Sequence, residues 1–308
     1  MKYRFILQPY KGITSRYNCP KCNQKKCFSR YIDTENRIKF PEYVGRCNRE
    51  QKCGYHFTPK YYFEQHPENK EKSHFLNHNQ ISPIEPPSQT SYLDFGIIQH
   101  SMSNYNQNRL YQFLVTLFGE NESLRLMHQY MIGTSNHWPG ATIFWQIDIA
   151  GRIRTGKIML YNHQTGKRIK DPHTYITWVH SLLHKESYHL KQCFFGEHLL
   201  SADRTRPVAI VESEKTALIA SYYLPQYLWI ATGGKNGCFR EENEIVLRGR
   251  NVVLFPDLGA TDKWASKVLS MKKSGINAIL FDYLEINATK EQKENGYDIA
   301  DFLIEIRK

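Results

Sequence analysis

The residues with the clearest chemistry are four cysteines in two pairs within the first sixty positions. Cys19 and Cys22 form a C-x-x-C knuckle, and Cys47 and Cys53 form a wider pair with five residues between them. A knuckle supplies two thiolates from one tight turn, and two such pairs on adjacent hairpins complete the tetrahedral shell of a structural Zn²⁺ ion. The spacing therefore predicts a zinc ribbon with these four cysteines as its ligands.

Other side chains near these pairs could also bind a metal. Cys27 could serve as a fifth donor, and His56 could replace Cys53. Cys193 and Cys238 stand alone in the sequence and are predicted to be inert core residues. In an intracellular protein, paired cysteines are more typical of a metal site than of disulfides.

Carboxylates follow apolar segments in the last third of the chain. Glu212 ends VAIVE, Asp257 ends VVLFPD, and Asp298 and Asp301 open the final helix in GYDIADFL. Functional groups of open α/β sheets gather beyond the carboxyl ends of the strands, so we expect these side chains to converge. Converging carboxylates repel one another unless a divalent cation neutralises them, which predicts a Mg²⁺ or Mn²⁺ site for phosphoryl chemistry. Taken singly, Glu212 could begin a helix and Asp298 or Asp301 could cap one.

Positive charge is concentrated on the zinc ribbon. The formal net charge is +11; residues 1–60 carry 14 Lys and Arg against 4 Asp and Glu, whereas residues 201–308 carry 15 of each kind. Aromatic residues such as Tyr17, Tyr31 and Tyr43 are interleaved with this charge. The combination predicts a surface that neutralises phosphates and stacks on the unpaired bases of single-stranded DNA. The alternative is that the aromatic side chains form the small core of the ribbon and the charges form a solvated face.

Composition and hydrophobic periodicity indicate the elements before the acidic segments. The polar stretch 61–91 contains several prolines and no sustained period, which predicts a linker. From Tyr92 to about Met131 the pattern is helical, with an apolar face that includes Leu110 and Phe113. The β-branched and aromatic runs in 141–170 are broken by Ala-Gly and by two Thr-Gly pairs, which predicts successive hairpins.

From Pro207 onward, short apolar strands alternate with helices, and helices are expected at Glu214–Tyr223 and around Trp264. The predicted strands are Val208–Val211, Leu228–Ala231, Asn251–Phe255 and Ala278–Phe281. Continuous apolar strands joined by helices predict a parallel sheet covered on both faces, so the fold class is α/β. The predicted domains are a zinc ribbon (1–60), a linker (61–91), a mixed α+β basic subdomain (92–200) and the parallel-sheet domain (201–308).

The sequence shows no feature of a membrane or secreted protein. No apolar run approaches the roughly 20 residues that a membrane span requires. The opening MKYRFILQPYKG lacks the long apolar region and the small-residue cleavage site of a signal peptide. We therefore expect a cytoplasmic protein without a membrane partner.

The order VAIVE, ATGG, FPD and GYDIADFL resembles the Toprim domain of bacterial replicative primases, topoisomerases and related enzymes. Glu212 matches the glutamate of that family, Asp257 the first aspartate of its Asp-x-Asp motif, and Asp298 or Asp301 its later acidic position. The resemblance implies a Toprim-like domain over 201–308. It also implies that Glu212 and Asp257 are catalytic and that all four carboxylates bind magnesium.

Residues upstream extend this resemblance. The D-x-x-G-R turn Asp148–Arg152, the basic strand after it and the Phe195-Gly196 doublet resemble the basic subdomain of a primase catalytic core. With the ribbon, they are similar to primase-like proteins of bacterial mobile elements and phages. The resemblance implies a nucleotidyltransferase whose partners are single-stranded DNA, nucleotide triphosphates and a replicative helicase or mobile-element protein. The candidates for phosphate or template contact, unless they form only a solvated face, are Arg152, Arg154, Lys157, Lys167 and Arg168, with Lys215 and Lys235 at the mouth of the site.

One position departs from the family pattern. Gly259 stands where the second aspartate of Asp-x-Asp is expected, and Asp262 lies several residues into the next segment. A lost ligand lowers metal affinity and removes one means of placing a second ion. The sequence therefore leaves open a catalytically weak or inactive Toprim-fold DNA-binding protein that serves replication or mobilisation of an element. A nuclease is the third alternative, since the same acidic fold can hydrolyse phosphodiesters.

Overall fold

The computed structural model describes residues 4–10, 12–49, 53–67, 69, 89–183, 188–234 and 237–306. The chain divides into two compact units, Met1–Glu85 and Pro86–Lys308. Lys235, one of the predicted phosphate contacts, lies outside the described residues, as does most of the predicted linker. Within the described part of the chain, no helix has the length and apolar character needed to cross a membrane.

The first unit is built on a four-stranded antiparallel sheet in the order β1-β2-β3-β4. Its strands are β1 (Phe5–Leu7), β2 (Phe28–Asp33), β3 (Gly45–Cys47) and β4 (His56–Phe57). In the β2–β3 pair, Phe28 lies opposite Cys47. The pairing therefore brings the second cysteine pair next to the turn that carries the first, as the ribbon prediction requires.

Helix α1 (Pro59–Gln65) follows the sheet of the first unit. The Thr58 side chain caps its first turn, and Pro59 occupies the first helical position, where its missing N–H costs no hydrogen bond. The buried ring of Tyr62 packs edge-on against Phe40 with 5.6 Å between centroids. The first five residues of the range expected to be a linker are therefore helical, because this aromatic packing offsets the entropy of ordering them.

The second unit begins with helices that pack on a four-stranded antiparallel sheet. The helices are α2 (Phe95–Ser101), α3 (Arg109–Phe118) and α4 (Glu120–Gln129). The sheet has the order β5 (Gly133–Ser135), β6 (Ala141–Ile147), β7 (Ile153–Met159) and β8 (Ile176–Trp178), and two short helices follow, α5 (Val179–Leu182) and α6 (Leu199–Ala202). Leu110 and Phe113 of α3 are buried, as their helical spacing predicts.

The hairpin of β6 and β7 carries the basic residues of this subdomain. Its turn has Gly151 at a φ of +78°, which confirms the turn predicted at the Ala-Gly pair. The turn predicted at Thr155-Gly156 is wrong, because both residues lie inside β7. A Cβ atom at Gly156 would approach the side chains of Ile143 and Trp145 to 2.8 Å. This glycine therefore permits close packing within the sheet and does not mark a turn.

The rest of the chain forms a parallel sheet in the order β10-β9-β11-β12. Its strands are β9 (Val208–Val211), β10 (Leu228–Ala231), β11 (Asn251–Leu254) and β12 (Asn277–Leu280), each within one residue of the predicted bounds. The helices are α7 (Glu214–Tyr223), α8 (Glu241–Glu244), α9 (Thr261–Lys273), α10 (Tyr283–Asn287), α11 (Lys290–Asn295) and α12 (Ile299–Ile306).

Helices cover both faces of the parallel sheet. Ala209 and Val211 of β9 belong to a core cluster with residues of α7 and α12, whereas Val208 and Ile210 belong to a second cluster with residues of α9. Since successive side chains of a strand point to opposite faces, both faces are buried. The predicted α/β class is confirmed, and the carboxyl ends of β9 and β11 reach the same edge of the sheet.

Candidate functional site

The four predicted zinc ligands meet in the first unit. The Sγ atoms of Cys19, Cys22, Cys47 and Cys53 all lie within 4.8 Å of one another, and those of Cys19 and Cys53 are 3.7 Å apart. Tetrahedral coordination with Zn–S bonds of about 2.3 Å separates sulfur atoms by about 3.8 Å, so the cluster fits a structural Zn²⁺ ion. Burial raises the pKa of Cys47 to about 12, whereas a backbone hydrogen bond from Gln24 lowers that of Cys22 to about 6. A bound cation would favour the thiolate form of all four.

The two alternative donors lie outside this cluster. Cys27 Sγ is 3.7 Å from Cys47 Sγ, but the thiol donates to the carbonyl of Gln24 at 3.2 Å and is not part of the four-residue group. His56 Nε2 is hydrogen-bonded to the Tyr31 hydroxyl at 2.9 Å, and the two rings stack. The cysteines alone therefore form the candidate ligand shell.

Glu212, Asp257, Asp298 and Asp301 lie near one another and are called the acidic edge below. Asp257 follows β11. Its Oδ1 atom is buried and accepts no hydrogen bond from the described residues. Burial raises the pKa of Asp257 to about 8, and the negative charges of Asp298, Glu212 and Asp301 add to the effect, while Lys215 opposes it. A buried carboxylate oxygen without a donor, surrounded by like charge, is a position where a cation would be stabilised.

Asp298 and Asp301 lie at the start of α12 and bind each other's backbone. Asp298 Oδ1 accepts from the N–H groups of Ala300 at 2.8 Å and Asp301 at 3.1 Å, and Asp301 Oδ2 accepts from Asp298 N–H at 3.1 Å. Asp298 Oδ2 also accepts from the hydroxyl of Thr216 at 2.5 Å. Both carboxylates therefore cap the helix and at the same time contribute to the field at Asp257. Burial and the charge of Asp298 raise the pKa of Asp301 as well.

The carboxylates are neighbours but not a closed ligand shell. Among the described residues, only the four cysteines form a group of three or more metal-binding side chains whose ligand atoms all lie within 4.8 Å. The carboxylates at this edge therefore offer oxygen donors but do not form a preassembled metal site within the described residues. Mg²⁺ commonly keeps several water ligands and takes one or two carboxylates from the protein.

Three of the basic residues predicted to contact phosphate or template form ion pairs with carboxylates of the protein. The Lys157 ammonium is buried and donates to both carboxylate oxygens of Glu214, at 3.1 and 3.2 Å, and to the carbonyl of Gly233 at 2.9 Å. Arg152 and Arg154 both pair with buried Asp148, through Nε at 3.0 and 2.9 Å. Lys157 and Arg154 therefore already have partners within the protein.

The remaining basic residues are more accessible. The side chain of Arg152 is 53% exposed, so it could also contact a ligand, whereas that of Arg154 is 11% exposed. Lys167 and Arg168 are exposed after β7, and the charge of Lys167 acts on Asp301. Lys215 is half-buried in the first turn of α7, and its charge acts on both Asp257 and Asp301. Among the predicted contact residues that the structure describes, Lys167 and Lys215 are thus two lysines whose charges act on the acidic edge.

Glu214 and Thr216 are site residues that sequence reasoning missed. Glu214 binds Lys157, which is 57 positions earlier, and this link fixes the turn after Glu212 against both β7 and the Gly233 loop. Thr216 holds Asp298 across 82 positions. The available signal was weak: both are polar residues on a helix whose other side chains are mostly apolar and buried.

Gly259, in place of the second aspartate, lies in a turn with a φ of +80°, a conformation that favours glycine. Its N–H donates to Glu285 Oε2 at 2.9 Å, and the Thr261 hydroxyl donates to the same atom at 3.2 Å. Asp262 is exposed in the first turn of α9. The loop after β11 is therefore organised around Glu285, and its backbone geometry disfavours an aspartate at 259.

Two family models match parts of this chain. Residues 3–68 match the family model of a putative zinc β-ribbon finger, and residues 108–258 match that of a domain of unknown function, DUF6371. No curated protein gives a significant match.

Solved structures similar to this chain include primases. The Escherichia coli primase catalytic core is 14% identical, with 68% of this chain and 81% of that chain covered and a TM-score of 0.41. The primase fragment of the bacteriophage T7 primase-helicase protein is 12% identical, with coverages of 94% and 99% and a TM-score of 0.38. The Aquifex aeolicus primase, with its zinc-binding and RNA polymerase domains, is 11% identical, with coverages of 97% and 83% and a TM-score of 0.36. At these identities and TM-scores the likeness assigns no residue a role.

Proposed function

We propose that this chain is a primase-like nucleotidyltransferase that acts on single-stranded DNA with Mg²⁺ at a Toprim-like acidic edge. The observation that carries the proposal is Asp257, a half-buried residue whose Oδ1 atom is buried and accepts no hydrogen bond from the described residues, with three acidic neighbours. Such an arrangement costs free energy in the folded protein unless a cation compensates it. Helix capping accounts for Asp298 and Asp301 but gives no reason for the position of Asp257 beside them.

The residues of the site have separable roles in this proposal. Glu212 and Asp257 would hold a divalent cation, which would supply charge neutralisation at a transferring phosphate when bound. Asp298, held in place by Thr216, would bind the cation or its water ligands. Lys215 and Lys167 would attract phosphate groups to the mouth of the site, since their charges already act on the acidic edge. The Lys157–Glu214 pair would keep the turn after Glu212 in place.

The zinc ribbon would engage the DNA strand. A cavity of about 690 Å³ in the first unit is lined by basic and aromatic residues that include Tyr17, Arg30 and Lys39. The guanidinium of Arg30 lies over the Tyr17 ring, 3.7 Å from its centroid. Exposed Tyr10 and Tyr61 offer further faces for base stacking. Phe28 is fully buried, so part of the aromatic content serves the ribbon core, as the alternative interpretation required.

The test is primer synthesis by the purified full chain on single-stranded DNA with labelled nucleotides, in magnesium and in manganese. We expect short products from the unmodified protein and none from Glu212→Gln, which removes a charge with little change in shape. DNA binding should persist in that variant. If the unmodified protein makes no product with either metal, the enzymatic proposal fails.

The second candidate is a Toprim-fold DNA-binding protein without strong catalysis, and Gly259 favours it. The turn at this position has a backbone conformation suited to glycine, and Glu285 binds its N–H group. The chain thus lacks a side-chain oxygen where a second metal would be placed. Undiminished DNA binding together with an absence of synthesis and of phosphodiester cleavage would support this candidate over both the primase and a nuclease.

A further inference from the structure

A pocket beside Glu212 is lined mainly by residues to which the proposed function gives no role. Its cavity is about 530 Å³, which is within the range of small-molecule sites. Glu212 and the Gly234 turn line one part of it, and Phe239, Arg240 and one side of α9 line the rest. All of these elements belong to the second unit. The pocket therefore connects the acidic edge with a surface built by α9.

The lining combines aromatic rings with positive charge. Phe239 and Trp264 form an aromatic wall, with centroids 5.3 Å apart and ring planes at 62°. The Lys267 ammonium lies 4.9 Å from the Phe239 centroid and pairs with buried Glu244, so its charge is compensated internally. Arg240 is exposed, and its side chain makes no hydrogen bond or ion pair within the described part of the chain.

We propose that this pocket binds one nucleotide, with its base against Phe239 and Trp264 and its phosphates on Arg240 and Lys263. The inference deepens the proposed function and rests on it for the role of the ligand. The flat face of a base can stack on the aromatic wall, and the positive charges of Arg240 and Lys263 can pair with the negative charges of the phosphates. A cavity of this size holds one small molecule and not the successive bases of a strand. Since Glu212 lines the same cavity, the phosphates would lie next to the acidic edge.

The test is the binding of a fluorescent ATP analogue to the full chain in magnesium, without DNA. Ser270→Leu places a larger side chain in the cavity from α9 and should raise the Kd at least tenfold, which is a loss of about 1.4 kcal/mol. The double variant Arg240→Gln with Lys263→Gln should raise the Kd several-fold and flatten its salt dependence. Lys272→Gln, on the same helix but outside the lining, is the matched control and should leave the Kd unchanged.

Several results would overturn the inference. The first is no binding by the unmodified chain, and the second is a Kd within twofold of the unmodified value in both pocket variants while their thermal unfolding stays normal. The third is stronger displacement of the analogue by a single-stranded oligonucleotide than by ATP, which would make a strand the occupant.

Primer synthesis, measured separately on the same proteins, distinguishes this inference from the proposed function. Synthesis by the unmodified chain with nucleotide binding that is insensitive to Ser270→Leu would reject the pocket alone. Binding that is lost in Ser270→Leu, without synthesis in either metal, would reject the proposed enzyme and leave the pocket as a nucleotide site.

Discussion

The zinc ribbon and the acidic edge each assemble four potential metal ligands, but they do so differently. The cysteine ligands come from two short turns on paired antiparallel strands, and their sulfur atoms already lie within 4.8 Å of one another. The carboxylates come from three distant segments, and those of Asp298 and Asp301 also accept hydrogen bonds from the backbone at the start of α12. The first site therefore fits a permanent structural ion, whereas the proposed function has the second bind an ion together with phosphate and water.

The largest expected effect is loss of the ribbon. Cys19→Ser with Cys22→Ser removes two of four ligands, so the bound zinc should fall from one ion per chain to none. Zinc binding and folding are the same free energy in such a module, on the order of 10 kcal/mol, so the first unit should unfold. Metal analysis and circular dichroism would measure both changes. Cys27→Ser, next to the site but outside it, should keep one zinc; if it loses the ion, the ligand assignment is wrong.

The next effect concerns the buried ion pair behind the acidic edge. Lys157→Met leaves Glu214 buried without its partner and should lower the free energy of unfolding by about 3–5 kcal/mol. Lys157→Met with Glu214→Leu removes both charges and should recover much of this loss. Urea unfolding of the two variants would measure the difference. Equal stability of the single and double variants would show that the pair is not a buried unit.

A third expected effect is a dependence of stability on pH that comes from the acidic edge. The pKa of Asp257 is raised to about 8 in the folded chain, from an ordinary value near 3.8. Between these values the folded state binds more protons than the unfolded state, so in EDTA this group makes stability fall as pH rises from about 4 to 8. Asp257→Asn should be more stable than the unmodified chain at pH 8 and should lose this part of the slope.

Two further conditions sharpen that measurement. The pKa of Glu197 is also raised, to about 7, mainly by burial, so its contribution should remain in Asp257→Asn and serve as an internal control. Magnesium should reduce the slope in the unmodified chain, because a bound cation favours the charged form of Asp257. An identical pH dependence in the two proteins would contradict the electrostatic account of this edge.

The smallest expected effect is on DNA binding by the ribbon. Lys25→Gln with Lys39→Gln removes two exposed charges and should reduce the steepness of the log–log salt dependence on single-stranded DNA by about 1.4, at about 0.7 per phosphate contact. Lys272→Gln with Lys273→Gln, at the end of α9, is the charge-matched control and should change it little. Similar slopes for both double variants would mean that the ribbon does not hold the strand.

The same contrast explains what could be predicted from the sequence. The cysteine set follows from local spacing, and the strands of the parallel sheet follow from continuous apolar runs, so both can be predicted from the sequence. The Lys157–Glu214 pair joins residues 57 positions apart, and no local sequence pattern predicts it. The turn predicted at Thr155-Gly156 is wrong because glycine permits a turn and a close packing contact equally well. Only the positions of Ile143 and Trp145 in the folded sheet decide between the two.

The most direct test of the central claim is primer synthesis on single-stranded DNA by the unmodified chain, beside Glu212→Gln and Asp257→Asn, with magnesium or manganese. The account predicts metal-dependent products from the unmodified chain and their loss in both variants, with zinc content and DNA binding retained. Products of equal yield from the two variants, or no product from any of the proteins, would contradict the assignment of the acidic edge as a site of nucleotidyl transfer.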